Sequence, residues 1–350
     1  MRRGLFGYVT VMVGAALLLA LGNSIAPASE GAARDQHKAV FGILPPDMAT
    51  PERPMTPERV TLGRFLYFDP RLSKNQDISC NSCHRLDQAG VDGEPTSPGH
   101  KGQLGGRNSP TVMNAGLHLA QFWDGRAADL EEQAKGPILN PVEMAMPSED
   151  HVVTVLESIP GYPPLFAAAF PDDPKPVSYE NMALAIGAFE RGLVTPSPFD
   201  LYLAGDDEAL SPEAAQGLDQ FYALGCPTCH NGVGVGGGIY RQLGQAHPYE
   251  TADVGRFEVT GKEIDRKVFK VPSLRNVTAT GPWFHDGSIQ SLDEAVRLMA
   301  WHQLGLETTA EDRAQLIVFL EALQGEPDPA YVAEPKQLES GPNTPGPDPS

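Results

Sequence analysis

Basic residues are scarce in this 350-residue chain: 26 Lys and Arg stand against 45 Asp and Glu, a formal net charge of −19. A surface that repels phosphate excludes nucleic acid as an expected partner. It suits instead a small redox protein with a basic or dipolar face, steered in by the long-range field. Long apolar runs are also lacking after the first twenty or so residues, so no later segment is expected to cross a bilayer. Convincing alternating strand patterns are few. Cysteine is scarce, with four copies, which rules out a dense disulfide framework.

Those four cysteines are placed in two identical frames: Cys80-Asn81-Ser82-Cys83-His84 and Cys226-Pro227-Thr228-Cys229-His230. C-x-x-C-H is the spacing of covalent c-type haem attachment. Two thiols bond the two vinyl groups on one haem edge, and the following His reaches the iron. Disulfides or a Cys/His zinc site would use the same residue types. Neither requires His directly after the second Cys each time, and zinc pairs usually lie closer together. The expected cofactors are therefore two covalently bound c-type haems, with His84 and His230 as first axial ligands.

Residues 1–28 read as a signal peptide. Arg2 and Arg3 form the positive segment, Val9 to Leu21 the apolar one, and Ala26-Pro27-Ala28 offers a cleavage site. Its removal leaves 24 basic against 45 acidic residues, a charge of −21. Export to the periplasm fits the haem motifs, and membrane anchoring is the lesser alternative.

The remaining length suggests two domains: an N-terminal one over 29–198 and a C-terminal one over 199–325, each with one motif. Thr56-Pro57-Glu58 opens a helix before the first motif and Ser211-Pro212-Glu213 before the second, each with a hydroxyl N-cap and Pro at the first turn. Phe65, Tyr67 and Phe68 follow the first, Phe221 and Tyr222 the second, and Gly225 should stop the second helix. Met182, Ala185, Ile186 and Phe189 recur at helical spacing behind Ser178. Leu292, Ala295, Val296 and Met299 do so behind a capping box of Ser291 with Glu294, and Arg313, Leu316, Ile317 and Leu320 mark a last helix. The fold class is mainly α: two cytochrome c-like haem domains joined by long Gly/Pro-rich loops. Residues 326–350 read as a disordered tail.

The sixth iron position has no spacing signature. His37, His100, His118, His151, His247, His285 and His302 remain, along with the methionines. His100 and Met299 stand out. His100 lies in Gly90–Gly106, a stretch with six glycines and two prolines in seventeen residues; a ligand carried there leaves the iron at little cost. Met299 lies on a capped amphipathic helix, and a thioether ligand raises a haem's potential. One haem would then hold an electron, and the other would open to a substrate.

The chain resembles the bacterial di-haem cytochrome c peroxidases from about Leu62 to Leu323. The resemblance is carried by Leu62-Gly63-Arg64 through Phe68-Asp69-Pro70-Arg71-Leu72-Ser73, by Gly106-Arg107-Asn108-Ser109-Pro110-Thr111, and by Gln121-Phe122-Trp123-Asp124-Gly125-Arg126. Asn140-Pro141-Val142-Glu143-Met144 and Val271-Pro272-Ser273-Leu274-Arg275-Asn276 complete it. It implies reduction of hydrogen peroxide to water with electrons from a small cytochrome c or a cupredoxin. It implies that His100 is the removable ligand of the N-terminal peroxidatic haem and Met299 the ligand of the C-terminal electron-accepting haem. Glu143 matches the distal acid/base, Gln133 an amide that orients peroxide, and Trp123 an aromatic bridge between haems. Asn108, Thr280 and Pro282 match a calcium site, and a homodimer is the family's habit. Gln290, Trp301 and His302 have no implied role, although His302 sits close enough to Met299 on a helix to compete with it.

Two other readings share the haems. One is a di-haem protein oxidase related to the enzyme that matures a tryptophan-derived quinone; that branch has Tyr where this chain has Met299. The other is a non-catalytic di-haem electron carrier, which would need neither Glu143 nor the glycine-rich His100 loop.

Overall fold

The computed structural model describes residues 30–350; the expected signal peptide lies outside them. The helices are α1 Glu30–Phe41, α2 Pro57–Phe68, α3 Cys80–Cys83, α4 Leu130–Leu139, α5 Glu149–Ser158, α6 Tyr162–Ala169 and α7 Tyr179–Glu190. The second half follows with α8 Pro198–Ala204, α9 Pro212–Ala223, α10 Phe257–Thr260, α11 Leu292–Met299, α12 Ala310–Glu321 and α13 Pro329–Val332. Among the described residues the only sheet is the antiparallel pair β1 Tyr240–Gln242 and β2 Val268–Lys270, with Arg241 opposite Phe269. The mainly helical fold read from the sequence is the one observed.

Each half uses one design. The Thr56 hydroxyl accepts from Arg59 N at 3.3 Å to start α2, and Ser211 accepts from Ala214 N at 3.1 Å to start α9. Ser178 caps α7 through Asn181 N, and Thr309 with Asp312 forms a capping box on α12. Each such cap contributes about 1 kcal/mol. The stripe Met182, Ala185, Ile186 and Phe189 is fully buried, as its spacing predicts. Helix α2 crosses α7 at Gly63, where a Cβ would lie 1.9 Å from the Ala185 carbonyl; α9 crosses α12 at Gly217, where it would lie 2.2 Å from the Gln315 carbonyl. A larger residue at either position would push the pair apart.

The repeat runs further than the helices. Asn114 and Asn276 both take left-handed backbone (φ 59° and 60°), each opening a short 3-10 turn, Ala115–Leu117 and Val277–Ala279. Phe122 and Phe284 repeat this at φ 65° and 70°, each two residues before an Asp-Gly turn. The two asparagines meet at the junction: their side-chain amides donate to the one Thr195 hydroxyl, at 2.6 and 3.0 Å. Buried bidentate ion pairs pin the segments around them. Arg275 holds Asp200 at 2.8 Å through both nitrogens, and Arg191 holds Glu131 at 2.5 and 2.9 Å. Removing one partner of such a pair strands a buried charge, at a cost of about 3–5 kcal/mol.

Three expectations are corrected. Helix α1, assigned to the N-terminal domain, packs on the C-terminal one: Phe41 meets Phe199 edge-on at 5.2 Å, and Gly232 N donates to the Val40 carbonyl. Residues 326–350, expected to be disordered, lie along the N-terminal half. Tyr331 stacks on Phe189 at 5.2 Å, Arg71 Nη1 donates to the Leu338 carbonyl, and Gln76 Nε2 donates to the Pro345 carbonyl. Tail composition favours disorder, but Leu338 and Tyr331 supply apolar anchors that composition averages away. The capping box of Ser291 with Glu294 does not form either. Glu294 instead binds Arg297 one turn on, at 2.7 Å through both nitrogens, a charge-assisted pair that outcompetes a neutral backbone donor.

Candidate haem sites

Each C-x-x-C-H forms a single tight turn. His84 N donates to the Cys80 carbonyl at 2.9 Å, and His230 N to the Cys226 carbonyl at 3.0 Å. That turn brings two thiols and an imidazole to one cavity wall. Cys80, Cys83 and His84 line an N-terminal cavity of about 130 Å³; Cys226, Cys229 and His230 line a C-terminal one of about 270 Å³. None of the four cysteines is in a disulfide.

The chemistry of these donors fits haem. Burial pushes the Cys83 thiol up to about 11 and Cys226 up to about 12, and Cys80 further in the same direction. Burial also lowers His84, and lowers His230 to about 4, so both imidazoles are neutral, the form that binds iron. Their Nδ1 atoms are turned into the protein. They are buried without a hydrogen-bond partner, with the Gly90 and Pro110 backbone beside His84 and the Val235 and Pro272 backbone beside His230. Pro110 and Pro272 each lie four residues before the repeated asparagine, Asn114 or Asn276, so both rings meet an equivalent backbone neighbour.

The cavities differ in their other walls. Glu143 and Gln133 line the N-terminal one. Glu143 is held by Asn140 Nδ2, which donates to its Oε1 at 2.9 Å. Burial raises its pKa above the usual glutamate range, opposed by the Arg126 charge and the Asn140 bond. Arg126 itself lies 3.4 Å over the Phe122 ring. Gln133, which follows two glutamates in sequence, lines the cavity from α4 and is half-buried. Glu190 is a second carboxylate there. It is raised to about 8, first by burial and then by Glu131, and its Oε2 lacks a partner.

Met299 lines the C-terminal cavity together with Leu292, Ala295 and Val296, the stripe read from the sequence. The chain then makes a turn of π-helix, Ala300–Leu304, a geometry that often marks functional positions. His302 is not among the residues lining the cavity, and its Nδ1 pairs with the His247 carbonyl at 2.9 Å. Trp301 stacks on His247 at 3.8 Å.

Two dipeptides form the partition. Pro110 and Thr111 line both cavities; Phe122 lines the N-terminal one and Trp123 the C-terminal one. Trp123 is fixed by its Nε1, which donates to the Asn108 carbonyl at 2.9 Å. Asn108, Thr280 and Pro282 share the C-terminal cavity wall. Among the described residues no group of three or more His, Cys, Asp and Glu could hold a metal ion, so a cation there would rely on amide and carbonyl oxygens.

His100 is not brought to the N-terminal cavity. Its ring Nε2 lies 3.3 Å from the Ser350 carbonyl, and its backbone N donates to the Glu143 carbonyl at 2.7 Å. Gly99 packs so closely that a Cβ would lie 2.0 Å from the Val142 carbonyl. The glycine-rich loop expected to be loose is therefore bonded to the segment carrying Glu143. Sequence reasoning missed Pro110, Pro272, Phe122, Glu190, Lys270 and His118 as cavity residues. The one available signal was the second copy of the Phe-x-Asp-Gly turn, 122–125 and 284–287.

Residues 57–208 match the family model for di-haem cytochrome c peroxidase. The chain is 45% identical to cytochrome c551 peroxidase of Pseudomonas aeruginosa, over 93% of this chain and 96% of that protein. It is 46% identical to cytochrome c551 peroxidase of Nitrosomonas europaea, over 89% and 90% of the two. Among solved structures, a MauG-like protein associated with microbial copper homeostasis superposes with a TM-score of 0.74 at 28% identity, covering 84% of this chain and 97% of that one. Two thiol-and-imidazole cavities in a duplicated helical fold, with this identity over nearly the full length, place the chain in the di-haem cytochrome c peroxidase family.

Proposed function

We propose that the protein is a periplasmic peroxidase that reduces hydrogen peroxide to water. Electrons would come from a small cytochrome c or cupredoxin, with the C-terminal haem as the entry point and the N-terminal one as the site of peroxide reduction. One observation carries this reading: the carboxylate of Glu143 and the amide of Gln133 line one cavity, while Met299 lines the other. A plain electron carrier has no use for that asymmetry.

Cys80, Cys83 and His84 would hold one covalent haem, and Cys226, Cys229, His230 and Met299 the other. When bound, the haems supply electron storage and the metal centre at which peroxide is reduced. The chain supplies the proton handling. Peroxide needs one proton moved from one oxygen to the other before its O–O bond breaks. Glu143, with its pKa raised by burial, is suited to accept and return that proton, and Asn140 keeps its carboxylate aimed. Gln133 orients the substrate by a hydrogen bond. Trp123, in the partition, provides a polarisable ring between the two sites.

His100 serves as a gate in this reading. Its imidazole would be held by the N-terminal haem in the oxidised protein and released, to the position it takes near Ser350, once the C-terminal haem is reduced, an order change coupled to ligation. Calcium at Asn108, Thr280 and Pro282, and a homodimer, complete the proposal. Met299 in place of Tyr speaks against the quinone-maturing branch.

The test is peroxide turnover with reduced cytochrome c. Peroxide-dependent oxidation of the donor supports the peroxidase. Donor oxidation only in the presence of a tryptophan-bearing protein substrate would favour the maturation oxidase, and no turnover with reversible electron uptake would leave an electron carrier.

A further inference from the structure

Lys270 lies in β2 and is 6% exposed, yet among the described residues its ammonium forms no ion pair. Its one side-chain hydrogen-bond partner is His118 Nδ1, at 3.2 Å. Both residues line the C-terminal cavity. His118 is itself orphaned, since its Nε2 is buried without a partner. It is also locked in place: a Cβ on Gly237 would lie 2.3 Å from the His118 ring. The backbone fixes the lysine equally, because Lys270 N donates to the Trp123 carbonyl at 2.8 Å.

A buried cation without an anion is costly and usually resolved by pairing. Burial alone depresses Lys270 to about 8, and burial followed by the Lys270 charge holds His118 well below its ordinary value. Every other fully buried cation named above has its carboxylate: Arg275 has Asp200, and Arg191 has Glu131. Lys270 and His118 lack only an acceptor, and both reach the space where one would be. His118 donates through Nε2 once its Nδ1 accepts from the lysine.

We infer that Lys270 and His118 form a carboxylate-binding subsite in the C-terminal cavity, and that its ligand is a propionate of the C-terminal haem. The inference rests on haem occupying that cavity. The subsite has two consequences. The lysine charge next to the haem stabilises the state with one more electron and so holds its potential up, adding to the effect of Met299. And because Lys270 hangs from the Trp123 carbonyl, the propionate end of this haem is registered against the partition.

The test is a redox titration of the purified two-haem protein at fixed pH, with haem content measured in the same samples. Lys270→Gln should lower the potential of the C-terminal haem and leave the N-terminal haem unchanged. Lys270→Arg should retain most of the wild-type value. Redox-difference infrared spectra should show the carboxylate band of a haem propionate shifting in Lys270→Gln and in His118→Phe. If Lys270→Gln fails to mature, His118→Phe carries the infrared test, with Lys270→Arg as the variant that should keep the wild-type band. Unchanged potential and an unchanged carboxylate band in holoprotein would overturn the subsite. Absence of the second haem from wild-type protein would instead overturn the haem reading beneath it.

Discussion

Glu143→Gln separates proton transfer from everything else the side chain does. The replacement keeps length and shape. Its amide oxygen can still accept from Asn140 Nδ2, the 2.9 Å bond that aims the native carboxylate. The Arg126 charge loses an attractive partner, but Arg126 remains stacked over Phe122 and paired with Asp124. Packing and stability should therefore change little. The amide cannot take up a proton, and a positioned general acid/base contributes roughly 10²–10⁴ in rate, about 3–5 kcal/mol of barrier. Turnover with hydrogen peroxide and reduced cytochrome c should fall by that factor, while the haem spectra of the resting protein stay as in wild type. Gln133→Ala should be milder, because it removes one orienting hydrogen bond. Equal, small losses for both variants would refute the reasoning and move the proton to another group.

Met299→His should lower the potential of the C-terminal haem, since imidazole supports ferric iron better than thioether does; redox titration with both haems unchanged would remove Met299 as a ligand. His100→Gly should let the fully oxidised protein react with peroxide directly, whereas wild type should need prior half-reduction; stopped-flow spectra showing equal rates would remove the gate. Glu190 gives a pH-dependent stability. Its folded pKa, about 8, is raised above its ordinary value by burial, so the folded state favours the protonated acid. The resulting stability is present below the ordinary glutamate range and is lost as pH rises towards about 8, by roughly 3–5 kcal/mol as a ceiling. Glu190→Gln should match wild type in acid and exceed it in thermal midpoint at alkaline pH; parallel curves would contradict this.

The parts of the fold legible in the sequence are the local ones. The caps at Thr56, Ser178 and Ser211 and the stripe from Met182 to Phe189 depend on neighbours within a turn or two, and spacing reports them. The duplicated haem motif is legible because haem attachment fixes residue type and spacing together. Long-range choices were not. Nothing in Glu30–Phe41 says that Phe41 will pack on Phe199, and nothing in a Pro/Gly/Glu-rich tail says that Tyr331 will stack on Phe189. Gln133 and Glu143 are unremarkable by pattern; only resemblance singled them out, and the structure adds that they face one cavity. Lys270 could not be read at all, because its distinguishing property is a missing partner. Such an absence is visible only in three dimensions.

The central claim is that the protein turns over peroxide at the expense of a small electron donor. The direct measurement is steady-state oxidation of reduced cytochrome c by holoprotein shown to carry two haems that acid-acetone cannot extract, with and without hydrogen peroxide. The account predicts peroxide-dependent oxidation of two donor molecules per peroxide consumed, strongly diminished in Glu143→Gln. Two covalent haems that exchange electrons with the donor but leave peroxide unconsumed would contradict it.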